Sequence, residues 1–296
     1  MKFMFYADAH LRSTVPEARL DDYLANQDAL LLWMKETFSD YVHLSAGDTV
    51  HLARERAEPI TFATEMCKKI PPFYGIWGNH DLLYHNYDLR NKTTLGILSM
   101  VGVFNEIIDP VVFAEDDSFG PVTVYGYHYG QEIQHVNKGR KGINIALFHA
   151  MVMQEPHPHI EGYLAEDLLK EFPEYDIIIT GDNHKQFVVS YDGRVLINPG
   201  SLKRDNADQV DHVPRIFTYD AETNEVGSVA VPTDNDIIDR EHLDVVEQRD
   251  SRLEALSEKF KEARNITLDF YDNVIMYLRE NDVSDGAELR VLEWIS

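Results

Sequence analysis

The sequence predicts an α/β fold in which two sheets pack together with helices outside, followed by a helical C-terminal extension. Three observations predict it. Five strand-length, largely apolar segments each end on Asp, His or Asn. The first three alternate with segments of helical periodicity, the pattern of a parallel α/β unit. A second series of strands follows with one helix inside it.

Phe3 to Ala7 reads as a buried strand, and Arg12 to Arg19 as a polar loop. Leu20, Leu24, Leu31, Met34 and Phe38 recur at helical spacing, and Tyr41 to Ala46 forms the next strand. Pro59 suits the first turn of a helix reaching about Ile70, since its missing N–H costs nothing there. Pro72 to Trp77 is the third strand. A helix is expected over Asp88 to Met100, then strands at Val103 to Ile108, Val111 to Ala114 and Val122 to Tyr127.

The loop from Tyr129 to Gly142 carries Lys138, Arg140 and Lys141, read first as solvated and second as a phosphate-contacting loop. Beyond it, strands are expected at Ile143 to Phe148, Ile177 to Thr180, Phe187 to Tyr191, Val195 to Asn198, Arg215 to Tyr219 and Val226 to Val231. One helix, Gly162 to Phe172, interrupts them.

The composition shifts near Pro232, which divides a main domain over 1–231 from an acidic linker and helical extension over 232–296. The second segment holds 8 basic and 17 acidic residues, a net of −9. Ser251 and Glu254 fit a capping box, with Leu253, Leu256, Phe260 and Ala263 on one helical face. A second helix would bury Phe270, Val274, Tyr277 and Leu278, and a third would carry Leu289, Leu292 and Ile295. Such an appendage packs on its own domain or serves as a lid or docking surface for a partner.

With 44% hydrophobic and 26% charged residues, the composition is that of an ordinary globular protein. The net charge is −24, from 27 basic and 51 acidic residues. That balance argues against a stand-alone tight DNA binder, which neutralises phosphates with Lys and Arg. It leaves room for an enzyme whose positive charge is carried by bound metal. Cys67 is the single cysteine, so no intrachain disulfide forms. The apolar run Phe3 to Ala7 is too short for a signal-peptide core, and no stretch has the length of a membrane span. A cytoplasmic protein without membrane contact is expected.

The polar residues that end the five segments gather as Asp8, His10, Asp48, Asn79, His149, Asp182 and His184. Open α/β sheets place their ligands at such strand ends. Carboxylates crowded together raise each other's pKa, and two divalent ions relieve that repulsion. Asp48 is the candidate bridge between the two ions. Two ions about 3.5–4 Å apart activate a shared water and offset charge on a phosphoryl group. His80, beside the candidate ligand Asn79, is placed to protonate or steady the leaving oxygen.

Asp8-x-His10, Gly47-Asp48, Gly78-Asn79-His80-Asp81, His149 and Gly181-Asp182-Asn183-His184 resemble, in that order, the motifs of the calcineurin-like metallophosphoesterases. Asn198-Pro199-Gly200-Ser201 resembles a further landmark of that superfamily. The likeness covers about residues 1–231. It implies a β-sandwich of two mixed sheets flanked by helices. It also implies one metal on Asp8, His10, Asp48 and His184, a second on Asp48, Asn79, His149 and Asp182, and His80 as the catalytic acid. One position departs from the pattern, because Asp182 stands where relatives carry His. Two dications with three carboxylates sum to +1 rather than +2, which favours Mn2+ over Zn2+, with Mg2+ and Fe2+ as alternatives.

The arginines that clamp phosphate in protein Ser/Thr phosphatases are missing around Asp48 and Asn79. Asp8-Ala9-His10-Leu11-Arg12, Asp81 and the helical extension look more like the SbcD-type recombination nuclease subunits. That resemblance implies DNA as substrate, exo- or endonuclease action, an SMC-type ATPase partner bound through the extension, and a possible homodimer. The alternative is a phosphoesterase acting on a cyclic nucleotide, a nucleotide or a phosphomonoester. His51, His85 and His128 are read as ordinary polar positions first and cleft residues second. His43 is read as a core or face residue, and Lys203 and Arg204 as solvated surface first and phosphate contacts second.

Overall fold

The computed structural model describes residues 1–54, 59–116, 119–137, 142–234 and 237–239, together with Val274 and Leu278. The chain divides into two compact units, Met1–Asp239 and Arg240–Ser296. In the second, Val274 and Leu278 are helical, four residues apart on one face. The other positions of the three expected C-terminal helices, and the basic loop residues Lys138, Arg140 and Lys141, lie outside the described residues.

The first unit begins with β1 (Lys2–Tyr6), α1 (Tyr23–Thr37), β2 (Tyr41–Ser45), α2 (Pro59–Lys69) and β3 (Phe73–Gly75). It continues through α3 (Thr94–Met100), β4 (Phe104–Glu106), β5 (Val111–Asp116), β6 (Gly120–Tyr127), β7 (Ile143–His149), β8 (Val152–Met153), β9 (Tyr163–Leu164) and α4 (Ala165–Glu171). It closes with β10 (Ile177–Gly181), β11 (Phe187–Tyr191), β12 (Arg194–Asn198), β13 (Arg215–Asp220) and β14 (Glu225–Ala230).

One sheet runs β14-β13-β1-β2-β3-β4 and the other β11-β12-β10-β7-β6-β5. Both are mixed. In the first, β1 to β4 are parallel, with antiparallel β13 and β14 added at one side. In the second, β6, β7, β10 and β12 are parallel, flanked by antiparallel β5 and β11.

Side chains alternate across a strand, and the alternation builds the layers. Phe3 and Phe5 of β1 and Leu44 of β2 point into the inter-sheet core, against Ile145 and Leu147 of β7 and Ile177 and Ile179 of β10. Met4 and Tyr6, one residue out of phase, face Leu30, Leu31 and Met34 of α1 and Phe62 and Met66 of α2. On the far side, Ala146, Phe148, Ile178 and Leu196 pack against Leu168 and Leu169 of α4. The result is a helix–sheet–sheet–helix sandwich, as the sequence predicts. Among the described residues no helix is long and apolar enough to cross a membrane.

Two expected helices are shorter than the periodicity suggests. The span Asp88 to Met100 breaks into a 3-10 turn, Tyr87–Lys92, and α3. Thr93 is extended (φ −106°, ψ 168°), and its hydroxyl accepts from the Gly96 N–H at 3.1 Å, so it caps a new helix. The expected Gly162 to Phe172 helix starts only at Ala165, because Tyr163 and Leu164 pair with β8.

Candidate metal centre

The residues that end the core strands converge. Asp8 and His10 follow β1, Asp48 follows β2, Asn79 and His80 follow β3, His149 closes β7, and Asp182 and His184 follow β10. The first two turns run side by side. Asp8 N–H donates to the Gly47 carbonyl at 3.1 Å, His10 N–H to Asp48 at 3.0 Å, and Leu11 N–H to Thr49 at 2.9 Å. Asp8, His10, Asp48 and Asp182 all adopt positive φ, at 49°, 41°, 52° and 86°. Such a conformation costs roughly 1–3 kcal/mol per non-glycine residue and persists where a site demands it.

Close approach explains one glycine. A Cβ on Gly78 would collide with the Asp48 carboxylate and backbone nitrogen. The Asp48 and Asn79 turns can therefore nest only with glycine at that position.

Donor atoms of Asp8, His10 and His184 lie within 4.8 Å of one another, as do those of Asp8, Asp48 and His149. Asp48 faces both groups. Its Oδ2 lies 3.7 Å from His10 Nε2, and its Oδ1 lies 3.5 Å from His149 Nε2. Asn79 Oδ1 is 2.9 Å from His149 Nε2. The Asp182 N–H donates to Asp8 Oδ1 at 3.0 Å. The Asp182 carboxylate belongs to neither triad, but it lies close enough to raise the Asp48 pKa.

These residues fit a pair of cations on chemical grounds. His149 Nδ1 donates to the Ala46 carbonyl at 2.7 Å, so in the neutral ring the lone pair sits on Nε2. In that tautomer Nε2 and the Asn79 carbonyl oxygen, 2.9 Å apart, are both acceptors, an arrangement a cation would satisfy. Among the described residues, Asp8 Oδ2 is buried without a hydrogen-bond partner. Burial pushes the Asp8 and Asp48 carboxyls up to about 8. Burial, then the neighbouring imidazoles His184 and His80, hold His10 well below its ordinary value. Neutral imidazoles beside carboxylates that resist ionisation form a donor set that divalent cations would complete.

His80 stands above this set. Its N–H donates to Asp48 Oδ1 at 2.9 Å, and its Nδ1 donates to the His51 carbonyl at 2.9 Å. The ring therefore has Nε2 available. It packs edge-on to His10 with centroids 4.7 Å apart.

Three residues beyond the strand-end pattern also shape the site. Asp81, fully buried, accepts from Val50 and Gly78 N–H at 2.9 Å each and from Thr49 N–H at 3.3 Å. It locks the Asp48 turn to the Asn79 turn. His51 lies beside His10 and His80, its ring stacked 5.7 Å from His80. Arg12 lines the same cavity. The signal for each was its nearness in sequence to a candidate ligand.

Other polar positions are placed differently. Lys203 and Arg204 are not solvated. Lys203 Nζ is buried and donates to the His10 carbonyl (3.2 Å), Gln27 Oε1 (3.0 Å) and Tyr23 Oη. Arg204 donates to the Val210 and Asp234 carbonyls. A lysine whose three N–H groups find protein acceptors can be buried, a pairing that sequence does not show. His128 is buried beneath Trp77, and His85 packs on Tyr129 with centroids 5.6 Å apart; neither lines the cavity. His43 is a core residue, its ring bonded to the Phe38 carbonyl at 2.9 Å.

The family described as calcineurin-like phosphoesterase matches residues 1–186. Solved structures with a similar path include an archaeal phosphodiesterase, 17% identical over 78% of this chain and 99% of that one, with a TM-score of 0.40. Another is the calcineurin-like phosphoesterase YfkN from Bacillus subtilis, 13% identical over 85% of this chain and 97% of that one, TM-score 0.44. A third is the phosphopantetheinyl hydrolase PptH from Mycobacterium tuberculosis, 12% identical over 68% and 89%, TM-score 0.42.

Proposed function

Because the chain belongs to the calcineurin-like phosphoesterase family and is a metal-dependent phosphoesterase, we propose that it hydrolyses phosphodiester bonds of DNA, as an SbcD-like nuclease subunit does. One observation carries the two-metal part of this reading. The oxygens of Asp48 face two different donor groups, Oδ2 toward His10 and Oδ1 toward His149.

Asp8, His10, Asp48 and His184 would hold one ion, and Asp48, Asn79, His149 and Asp182 the other, with Mn2+ preferred for the charge reason given above. Bound there, the ions supply an activated water and offset phosphoryl charge. The protein's own groups do the rest. Asp81 holds two of the ligand turns in register. The Ala46 carbonyl fixes the His149 tautomer. His80, oriented by the His51 carbonyl, presents Nε2 to the leaving oxygen; as the imidazolium it gives that oxygen the Nε2 proton and is left neutral with its Nδ1–H still on His51.

The cavity beside Asp8, His10, His80 and His184 measures about 130 Å3. Pockets that enclose a small molecule are roughly 300–1,000 Å3. The charge of −24 favours a subunit that draws its DNA affinity from a partner such as an SMC-type ATPase. The same charge supports a second reading, a small phosphate ester as substrate.

End-labelled DNA, bis-p-nitrophenyl phosphate and p-nitrophenyl phosphate, each incubated with Mn2+ and the full chain, separate the two. Cleavage of DNA and of the diester is expected. Hydrolysis of the small esters with DNA untouched, even with a partner ATPase added, overturns the nuclease reading.

A further inference from the structure

Arg12 stands two residues beyond His10, where the chain leaves the first ligand turn. Its backbone is held from both sides by a buried side chain of α1. The Arg12 N–H donates to Gln27 Oε1 at 3.1 Å, and Gln27 Nε2 donates back to the Arg12 carbonyl at 3.0 Å. Gln27 is 3% exposed, so the point from which the arginine side chain departs is fixed.

Arg12 is half-buried and lines the same cavity as Asp8, His10, His80 and His184 as well as a neighbouring one, and its charge lies close enough to His51 and Lys203, both in the first cavity, to lower their pKa values. Its Nε donates to Thr14 Oγ1 at 3.2 Å. Among the described residues no carboxylate lies within 4.0 Å of it. The other cation lining the cavity, Lys203, spends its three N–H groups on His10, Gln27 and Tyr23. Arg12 is thus the cavity's cation whose outward N–H groups find no acceptor among the described residues.

A guanidinium presents a planar fork of donors that matches two oxygens of a phosphoryl group, and it stays charged at any working pH. We propose that Arg12 is a substrate-anchoring residue that donates to the non-bridging oxygens of the phosphoryl group seated in this cavity. The inference rests on the reading of the cavity as a phosphoester site. It adds a contact that the metal ligands do not supply, and it sets the orientation of the phosphoryl group relative to His80.

The test titrates inorganic phosphate calorimetrically into the full chain loaded with Mn2+, as wild type, R12A and R12K. Metal content and melting temperature are recorded for each. The side chain is half-exposed and the Gln27 contacts are made by backbone, so both variants should fold and hold Mn2+ as wild type does. R12A should weaken phosphate binding by about 10-fold or more, and R12K should recover only part of the loss, having the charge without the fork.

Phosphate affinity in R12A within about twofold of wild type overturns the proposal, as does a wild type that binds no phosphate. If phosphate binds through Arg12 but no ester is hydrolysed, the phosphoesterase reading fails and the anchor stands. If R12A hydrolyses bis-p-nitrophenyl phosphate with unchanged KM, the anchor fails and the phosphoesterase reading stands.

Discussion

His10 Nε2 and His184 Nε2 face each other at 3.1 Å, brought together from 174 positions apart in the chain. Burial lowers the pKa of both rings, so the pair presents lone pairs rather than charge. Two such nitrogens beside Asp8 and Asp48 form half of a coordination shell. Mn2+ at about 100 times its Kd should therefore add about 2.7 kcal/mol of stability, a rise of roughly 4–5 °C in Tm for a chain of this size. Scanning calorimetry with and without a chelator measures it. H10A should reduce the shift, and a wild type indifferent to Mn2+ would remove the basis of the two-metal reading.

The Asp182 N–H, not its side chain, holds Asp8 in place, so the side chain can be exchanged while that contact is kept. D182H removes one negative charge from the second site. The ratio of Zn2+-supported to Mn2+-supported turnover should rise. An unchanged ratio would show that the third carboxylate does not set the metal preference.

His80 contributes no donor to the two triads that contain Asp8, yet it is hydrogen-bonded to Asp48 and to His51. For H80A we expect metal content near that of wild type and turnover lower by at least ~100-fold, the low end of general-acid contributions. Turnover equal to wild type would assign proton delivery to another group, with His51 the nearest alternative.

Asp81 satisfies three buried N–H groups, from Thr49, Val50 and Gly78. Each buried donor left unpaired costs about 1–3 kcal/mol. D81A should thus destabilise the protein by roughly 3 kcal/mol or more, read from urea midpoints at constant m-value. D81N keeps one acceptor oxygen and should fall between. Wild-type stability for D81A would mean that the two turns hold together without this clamp.

His128 Nδ1 accepts from the Trp77 N–H at 3.2 Å, and its Nε2 lies 3.4 Å from Glu106. Burial pulls its pKa from 6.5 down to about 4. The unfolded chain takes up this proton near 6.5 and the folded chain only near 4, so lowering the pH across that window favours unfolding. The stabilisation is complete above pH 6.5 and lost toward pH 4, at no more than about 1.4 kcal/mol per pH unit. H128N retains an acceptor for Trp77 but does not titrate. Urea midpoints at about pH 7.5 and about pH 5 should differ less for H128N than for wild type. An identical difference would mean that His128 already titrates normally in the folded state.

The amino-acid sequence by itself determined the layered α/β class and the seven candidate ligands. Both are written in local signals: apolar runs of strand length, helical spacing between them, and short polar side chains at the strand ends. Only the tertiary structure decided which groups face which. That Asp48 looks two ways, that Asp81 clamps two turns, and that Lys203 is buried on three acceptors while Gln27 pins the Arg12 backbone all depend on contacts across tens to hundreds of residues. The break at Thr93 escaped the periodicity because a single capping hydroxyl, not the apolar pattern, restarts the helix. Periodicity reports which face of an element is buried; what lies against that face is set by how the two sheets pack.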